Sequence, residues 1–380
     1  SNQSFFNSLQ EIATAEVPSG NVVESTLPPS RRLNFVALVG VIFFTVCGGA
    51  FGIEPLFGKL GAGWAIILIV VTPLFWSVPI SLMVSELTAM MPIEGGYYVW
   101  VRRALGDFWG FQEGWWTCLY SAVDMAIYPV LFVNYIAFFL PMLQPDADGN
   151  LTWDQFLIRW AIAAAMIFLA MFLNWRGAKA VGYNSVFFLL VIIVPFVLLT
   201  VVGFTSESGG FAKSVEAVRD GFSIEMTGGL FAAGLATVMW NYSGWDNVAT
   251  YAGEVNNARR NYPRALFATM GLAILVYLIP TFALIGTTTD AEVWNESAGF
   301  PALGELVGGP VLGTIIAIAA LVSAWSLFNS QILYASRLPF AMAEDGWFPR
   351  FLSRANPKTG VPNASLFICC LIAAVFSALP

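Results

Sequence analysis

Long runs of apolar residues alternate with short polar segments from about residue 34 to the end of the sequence. Each run is long enough to cross a hydrocarbon core of about 30 Å as a helix. The pattern predicts nine membrane-spanning helices, and the longest of them must tilt or break. The predicted spans are 34–60, 64–91, 108–141, 153–173, 180–204, 226–254, 263–288, 310–340 and 364–380.

The composition supports a polytopic membrane protein. Hydrophobic residues make up 58% of the sequence and charged residues only 11%, whereas a soluble domain carries about 25% charged residues. There is no histidine, and the four cysteines, Cys47, Cys118, Cys369 and Cys370, all lie in apolar runs. We therefore expect no metal site, no cofactor and no nucleic-acid partner.

The charged residues predict an orientation. Residues 1–30 are polar and acidic, which is typical of a disordered cytoplasmic tail. With this tail inside, most Lys and Arg residues fall in cytoplasmic segments, and Asp and Glu crowd the outer loops, as the positive-inside rule requires. The sequence thus predicts a multi-pass protein of a plasma membrane or bacterial inner membrane, with a cytoplasmic N-terminus.

Two glycine-centred breaks, 47–52 and 241–246, interrupt the first and sixth predicted spans. These spans run in opposite directions, which favours a five-plus-five inverted repeat with the breaks meeting near the middle of the membrane. The first repeat would occupy about 31–205 and an incomplete second repeat about 220–380. Because the tenth span is missing, we expect residues 31–380 to be a truncated transmembrane transporter domain that ends around its ninth span.

The chemistry of the breaks suggests how a solute could bind. Unwound helix leaves N–H and C=O groups without partners, and glycine tolerates the backbone angles that this requires. Glu54, Asp124 and Asp246 lie within spans, where an ionised carboxylate is costly without a partner. No Arg or Lys is predicted at their depth, so a substrate amine could pair with them. Alternatively, the breaks are simple kinks, and Glu54 and Asp246 cap their half-helices.

Four stretches of the sequence carry the motifs of one known family. They are Gly48–Pro55, Ser85–Val101, Ala252–Ala265 and Ser336–Pro349. With these motifs in this order and spacing, residues 31–380 resemble the amino acid–polyamine–organocation transporters. Within that family, Gly48–Glu54, Val123–Val130 and Gly244–Asp246 resemble plant and protozoan uptake carriers for polyamines and cationic amino acids.

The resemblance implies a secondary active transporter of amino acids or polyamines, working by alternating access, rather than an enzyme. Together with the carboxylates it favours a cationic substrate and proton coupling, with Asp246 and then Asp124 as proton carriers. Sodium coupling through Ser323 and Ser326, or exchange, stays open. A neutral amino acid permease or exchanger is the alternative within the fold, and a transporter-like solute-sensing receptor is the alternative outside it. The oligomeric state does not follow from the sequence.

The predicted substrate site combines the two breaks with the carboxylates and with an aromatic residue at a position that gates relatives, Trp240. Its residues are Cys47, Gly48, Gly49, Ala50, Phe51, Glu54, Asp124, Trp240, Asn241, Tyr242, Ser243, Gly244, Trp245 and Asp246.

Overall fold

A computed structural model describes residues 28–146, 149–223, 225–295 and 299–378. These residues fold almost entirely as helices joined by short turns. Most of the predicted N-terminal tail lies outside the described residues, although Pro29–Arg31 form one 3₁₀ turn. The helices are α1 Phe35–Val46, α2 Glu54–Phe75, α3 Ser77–Met90, α4 Tyr97–Leu105, α5 Asp107–Phe139, α6 Trp153–Asn174, α7 Ala178–Thr205, α8 Phe211–Asp220, α9 Gly228–Asn241, α10 Ala258–Ile285, α11 Ala291–Asn295, α12 Phe300–Ala335, α13 Arg337–Glu344 and α14 Asn363–Phe376.

The predicted all-helical membrane fold is confirmed. Six helical stretches are long and apolar enough to cross a membrane, and α1 and α14 are shorter apolar helices. Within α2, Gly61 adopts φ 75°, so residues 54–60 form a separate short helix after the first break, before the second span begins. Glycine permits this reversal without a loop because it has no Cβ to clash in the left-handed region.

The second half of the sixth span differs from the sequence prediction. After α9 ends at Asn241, the chain continues through the 3₁₀ turns Asn247–Thr250 and Ala252–Glu254 rather than an α-helix. Thr250 contributes to this geometry, since its hydroxyl donates to the carbonyl oxygens of Asn247 and Tyr334. Such local bonds compete with helical ones, and the tertiary contact to α12 fixes the outcome.

The first span lies in the middle of the molecule. Val41, Phe43 and Phe44 of α1 are fully buried. Small residues allow α1 to approach α7 closely, because a Cβ at Gly40 would lie 3.0 Å from Val186. Surrounding helices keep the broken backbone away from lipid, where unpaired polar groups would be costly.

Short helices at the two ends of the molecule have the same construction. At one end, α4 lies between Gly96 and Gly106, both with positive φ. At the other end, residues 300–308 of α12 lie between Gly299 and Gly309, also with positive φ. We call the end that carries Arg102, Arg176, Arg337 and Arg354 the arginine-rich end, and the end that carries α8 and α11 the acid-rich end.

Candidate functional site

The first break provides unpaired backbone amides. Gly48, Gly49 and Gly52 all adopt positive φ, so the chain leaves the helical path between α1 and α2. Among the described residues, the N–H groups of Gly49, Ala50 and Phe51 have no hydrogen-bond acceptor. These N–H groups could therefore bind an anionic or carbonyl group of a ligand, as unwound transporter helices do.

The second break holds a carboxylate, Asp246, in a turn that is partly buried. Ser243 closes the end of α9 by donating from Oγ to the Met239 carbonyl oxygen at 2.7 Å. Gly244 follows with φ 104°, and a Cβ there would lie 2.8 Å from the carbonyl oxygen of Thr45 in α1. Asp246 then begins the 3₁₀ turn Asn247–Thr250 without a side-chain capping bond.

The two breaks contact each other. The Asn241 side-chain amide donates to the Gly52 carbonyl oxygen at 3.3 Å. The hydroxyl of Tyr277, from α10, lies 2.9 Å from the carbonyl oxygen of Asn241 and 3.4 Å from that of Cys47. From α12, the Ser323 hydroxyl donates to the Gly48 carbonyl oxygen. The sequence prediction did not name Tyr277, although a tyrosine within an apolar run was a weak signal for it.

Glu54 bonds to protein amides rather than lying free in a cavity. Its carboxylate accepts from the N–H of Gly52 at 2.6 Å and from the N–H of Phe300 at 3.2 Å. The residue is only 6% exposed. The first contact is local and holds the N–H of Gly52 just before α2, and the second holds the start of α12 against α2. The helix itself has no side-chain capping bond at its start.

Asp124 lies in α5 with a neutral partner from α12. Its carboxylate accepts a hydrogen bond from the Gln331 side-chain amide, and both residues are almost fully buried. Among the described residues, neither Asp124 nor Asp246 forms an ion pair. Gln331 was missed in the sequence, although a buried amide in an apolar helix is itself a signal of function.

Further acidic and phenolic groups surround Asp246. The Tyr97 hydroxyl, at the start of α4, lies 3.4 Å from the side-chain oxygen of Asn247. Burial, followed by the negative charges of Asp246 and Glu113, raises the pKa of Tyr97 well above its usual value. Asp246 and Glu113 are therefore near enough to influence Tyr97, and the three side chains supply oxygen atoms on the same side of the second break.

The predicted aromatic residues divide into two groups. Tyr242 and Trp245 are fully buried, and the Tyr242 hydroxyl donates to the Ile69 carbonyl oxygen. Both therefore pack in the protein interior. Trp240, by contrast, is 49% exposed, and its position one residue before Asn241 leaves it available to cover a bound solute.

The arginine-rich end is closed by a dense set of bonds. The Arg337 Nε lies 2.8 Å from the Glu254 carboxylate, and both side chains are at most 1% exposed. Backbone bonds join Leu33 to residues 254 and 256, and the Gly95 N–H donates to the Thr250 carbonyl oxygen at 2.9 Å. This network ties the starts of α1, α4 and α13 to residues 250–256.

Glu94 adds a second acid to this network. It pairs with Tyr251 in an isolated antiparallel bridge. Burial, and then the charge of Glu254, raise the pKa of Glu94 to about 8, although Arg337 opposes the shift. One guanidinium thus faces two carboxyl groups, and Glu94 holds its proton near neutral pH.

Comparison with known sequences shows the family. Residues 33–380 match the profile of the amino acid permease family. A probable polyamine transporter of Arabidopsis thaliana is 32% identical over 92% of this chain and 69% of its own length. Polyamine transporter RMV1 of Arabidopsis thaliana is 32% identical over 88% and 65%, and polyamine transporter PUT1 of Oryza sativa subsp. japonica is 32% identical over 92% and 62%. The chain therefore spans between 62 and 69% of the length of these relatives.

Solved structures show the fold. The crystal structure of MhsT in complex with L-phenylalanine superimposes with a TM-score of 0.64 over 90% of this chain and 78% of that protein. Its sequence identity is only 13%, so the likeness concerns the fold alone. Since both the helical arrangement and the sequence profile agree over nearly the whole described chain, the protein belongs to the amino acid permease family, whose members are integral membrane permeases rather than enzymes.

Proposed function

We propose that the chain moves small organic cations across a membrane by alternating access around the two contacting breaks. The observation that carries this proposal is the carboxylate of Asp246, which lies at the end of the second break and forms no ion pair among the described residues. A charge in such a place marks a substrate or ion pathway. A substrate ammonium group would supply the missing partner.

The relatives support polyamines as the substrate class, since three of them carry the name polyamine transporter. Asp124 would provide a second acceptor for an amine, from α5, and the face of Trp240 could hold an ammonium by cation–π attraction of about 0.5–2 kcal/mol. The closed arginine-rich end corresponds to a state in which solute enters from the acid-rich end. We place the N-terminus in the cytoplasm, so that this state faces outward.

A cationic amino acid is the second candidate. Its specific support is the set of unpaired N–H groups at Gly49, Ala50 and Phe51, because backbone amides of a broken helix suit a substrate carboxylate. A polyamine would leave these amides unused. Arginine or a related solute would bind both the amides at the first break and the carboxylate at the second.

Uptake by the full-length protein in proteoliposomes tests the proposal. Labelled putrescine, spermidine, arginine and leucine are compared, and we expect Asp246→Asn to abolish uptake of the preferred cation. Asp154→Asn, at an exposed position on α6, is the matched control and should leave uptake unchanged. Normal uptake by Asp246→Asn would refute the assignment, and binding without uptake by the unmodified protein would favour a solute sensor.

We further propose that uptake is coupled to protons carried by Asp246 or Asp124. Among the residues that the structure describes, neither side chain forms an ion pair that would fix its charge. The helix α7 contains no lysine beyond Lys179 at its start. An inward proton gradient should therefore drive the substrate to a higher concentration inside the liposomes than outside. In liposomes treated with a protonophore, the two substrate concentrations should only become equal. Accumulation that follows a sodium gradient would indicate sodium symport instead of proton coupling. Accumulation that requires an amine inside the liposomes would indicate exchange.

A further inference from the structure

An apolar cavity lies away from both breaks, between α6 and α7. Its volume is about 510 Å³, and its walls come from α5, α6, α7 and α12. No residue of either break lines it. The cavity is thus separate from the candidate substrate site, although a volume of this size is typical of a ligand site.

The cavity opens on the surface that faces lipid. Leu169 and Phe172, which line it from α6, are 58% and 50% exposed. Val322 and Trp325 of α12 and Phe188 of α7 line it as well. Apart from two polar residues, the walls are hydrocarbon or aromatic, so a hydrocarbon chain would be more stable there than water.

The two polar residues lie toward the arginine-rich end. Arg176 follows the last turn of α6, with its guanidinium 4.7 Å from the centroid of the Phe172 ring. Among the described residues it has no acidic partner. Asn184 lies six residues, or about 9 Å, beyond the start of α7, and its amide also lines the cavity. Lys179 lies nearby in sequence, with its ammonium on the Ser30 carbonyl oxygen.

We propose that this cavity binds one anionic phospholipid from the leaflet at the arginine-rich end. One acyl chain fills the space between α6, α7 and α12. The phosphate group binds the uncompensated guanidinium of Arg176, since arginine recognises phosphate through two parallel donors. The amide of Asn184 lies one step deeper, at the level of the glycerol esters, where it can donate to an ester oxygen. Basic pockets between membrane helices are suited to such head groups.

Occupation of the cavity would also support the central helices. Val322 and Trp325 flank Ser323, whose hydroxyl holds the Gly48 carbonyl oxygen at the first break. A bound acyl chain would pack against this part of α12 and stabilise the chain as a whole, because a ligand that binds only the folded state raises its stability.

Native mass spectrometry on the delipidated full-length protein tests the charge requirement. Dioleoyl phosphatidylglycerol and dioleoyl phosphatidylcholine are titrated separately, and bound lipids are counted. We expect one phosphatidylglycerol to bind at least about fivefold more tightly than phosphatidylcholine, and Arg176→Gln to remove this preference. Arg354→Gln, an exposed arginine at the same end, should keep it. Equal binding of the two lipids, or an unchanged preference in Arg176→Gln, would refute the proposal.

A second pair of variants tests the cavity itself. Leu169→Trp fills the mouth from an exposed position and should abolish the tight binding, whereas Phe168→Trp, exposed on the neighbouring face of α6, should not. Glycerol 3-phosphate should fail to compete, because it lacks the chain. Competition by glycerol 3-phosphate would mean that the site binds an anion and not a lipid. If the unmodified protein forms dimers, and Leu169→Trp but not Phe168→Trp abolishes them, a second copy of the chain covers the cavity. Either result would overturn the assignment.

Discussion

The two ends of the molecule are held by different kinds of contact. At the arginine-rich end, the start of α4 bonds through the backbone of Gly95 and Thr250, beside a fully buried ion pair between Arg337 and Glu254. At the acid-rich end, the corresponding short helix begins at Phe300, whose N–H bonds to a single side-chain carboxylate, that of Glu54. Both ends thus carry a short helix that lies between two glycines. At the arginine-rich end this helix is held by a backbone hydrogen bond, and at the acid-rich end it is held by a side chain.

This difference indicates which end opens with less cost. The Arg337–Glu254 pair is removed from water when this end is closed, so each buried charge would be costly if its partner moved away. The Glu54 contact instead involves one carboxylate and two N–H groups, which water could replace when the end opens. We therefore expect the acid-rich end to open more readily in the described state.

The largest effect should follow from breaking the buried ion pair. Arg337→Met leaves the Glu254 carboxylate buried without its partner and should destabilise the protein by about 3–5 kcal/mol. Thermal unfolding of the purified protein, followed by tryptophan fluorescence, measures the loss.

The double variant Arg337→Met/Glu254→Gln is the control for this prediction. It removes the unpaired charge together with the cation, so much of the lost stability should return. If the double variant is as unstable as the single one, Arg337 stabilises the folded protein through the packing of its side chain and not through its charge.

A smaller effect should follow from Glu54→Ala, which leaves the N–H groups of Gly52 and Phe300 without an acceptor. The expected loss is about 1–3 kcal/mol. It should appear as faster reaction of the buried Cys47 with a water-soluble thiol reagent, in a background where the other three cysteines are replaced by serine.

Glu54→Gln tests whether this contact needs the charge. The glutamine oxygen can still accept from one N–H, so Cys47 should react at a rate between those of the unmodified protein and Glu54→Ala. Labelling of Cys47 that is equally slow in all three proteins would show that Glu54 does not hold the acid-rich end.

A further expected effect concerns the pH dependence of the arginine-rich end. Because the pKa of Glu94 is raised to about 8 from 4.5, the closed protein binds its proton more tightly than the unfolded chain. The contribution of Glu94 to stability should therefore be fully present below pH 4.5 and be lost as the pH rises toward about 8. Glu94→Gln should flatten this fall in the melting temperature between pH 5 and 8. An identical pH profile in both proteins would exclude Glu94 as its source.

Most of the fold could be predicted from the sequence, because membrane spans are set by local hydropathy. The apolar spans and the two glycine-centred breaks follow from residues that are neighbours in the chain. The short helices Tyr97–Leu105 and 300–308, each between two glycines with positive φ, were not predicted. The 3₁₀ geometry of residues 247–254 could not be predicted, since it depends on a bond between Thr250 and Tyr334, 84 residues away.

The candidate site was predicted only in part. Both breaks and the acids Asp124 and Asp246 follow from glycine and carboxylate residues in apolar runs. The partners of these groups do not, because Gln331 reaches Asp124 across 207 positions and Phe300 reaches Glu54 across 246. Tyr242 and Trp245 stand in the second break, yet only packing decided that their rings are buried.

The sequence by itself determined that this is a helical membrane permease with two interrupted spans, because hydropathy and glycine act locally on the backbone. The tertiary structure decided which acids are already satisfied by protein. Glu54 accepts hydrogen bonds from two backbone N–H groups, and Asp124 accepts one from a side-chain amide. Asp246 lies at a break and forms no ion pair within the described part of the chain. That distinction depends on which helix packs against each carboxylate, and helix packing is a property of the folded chain as a whole.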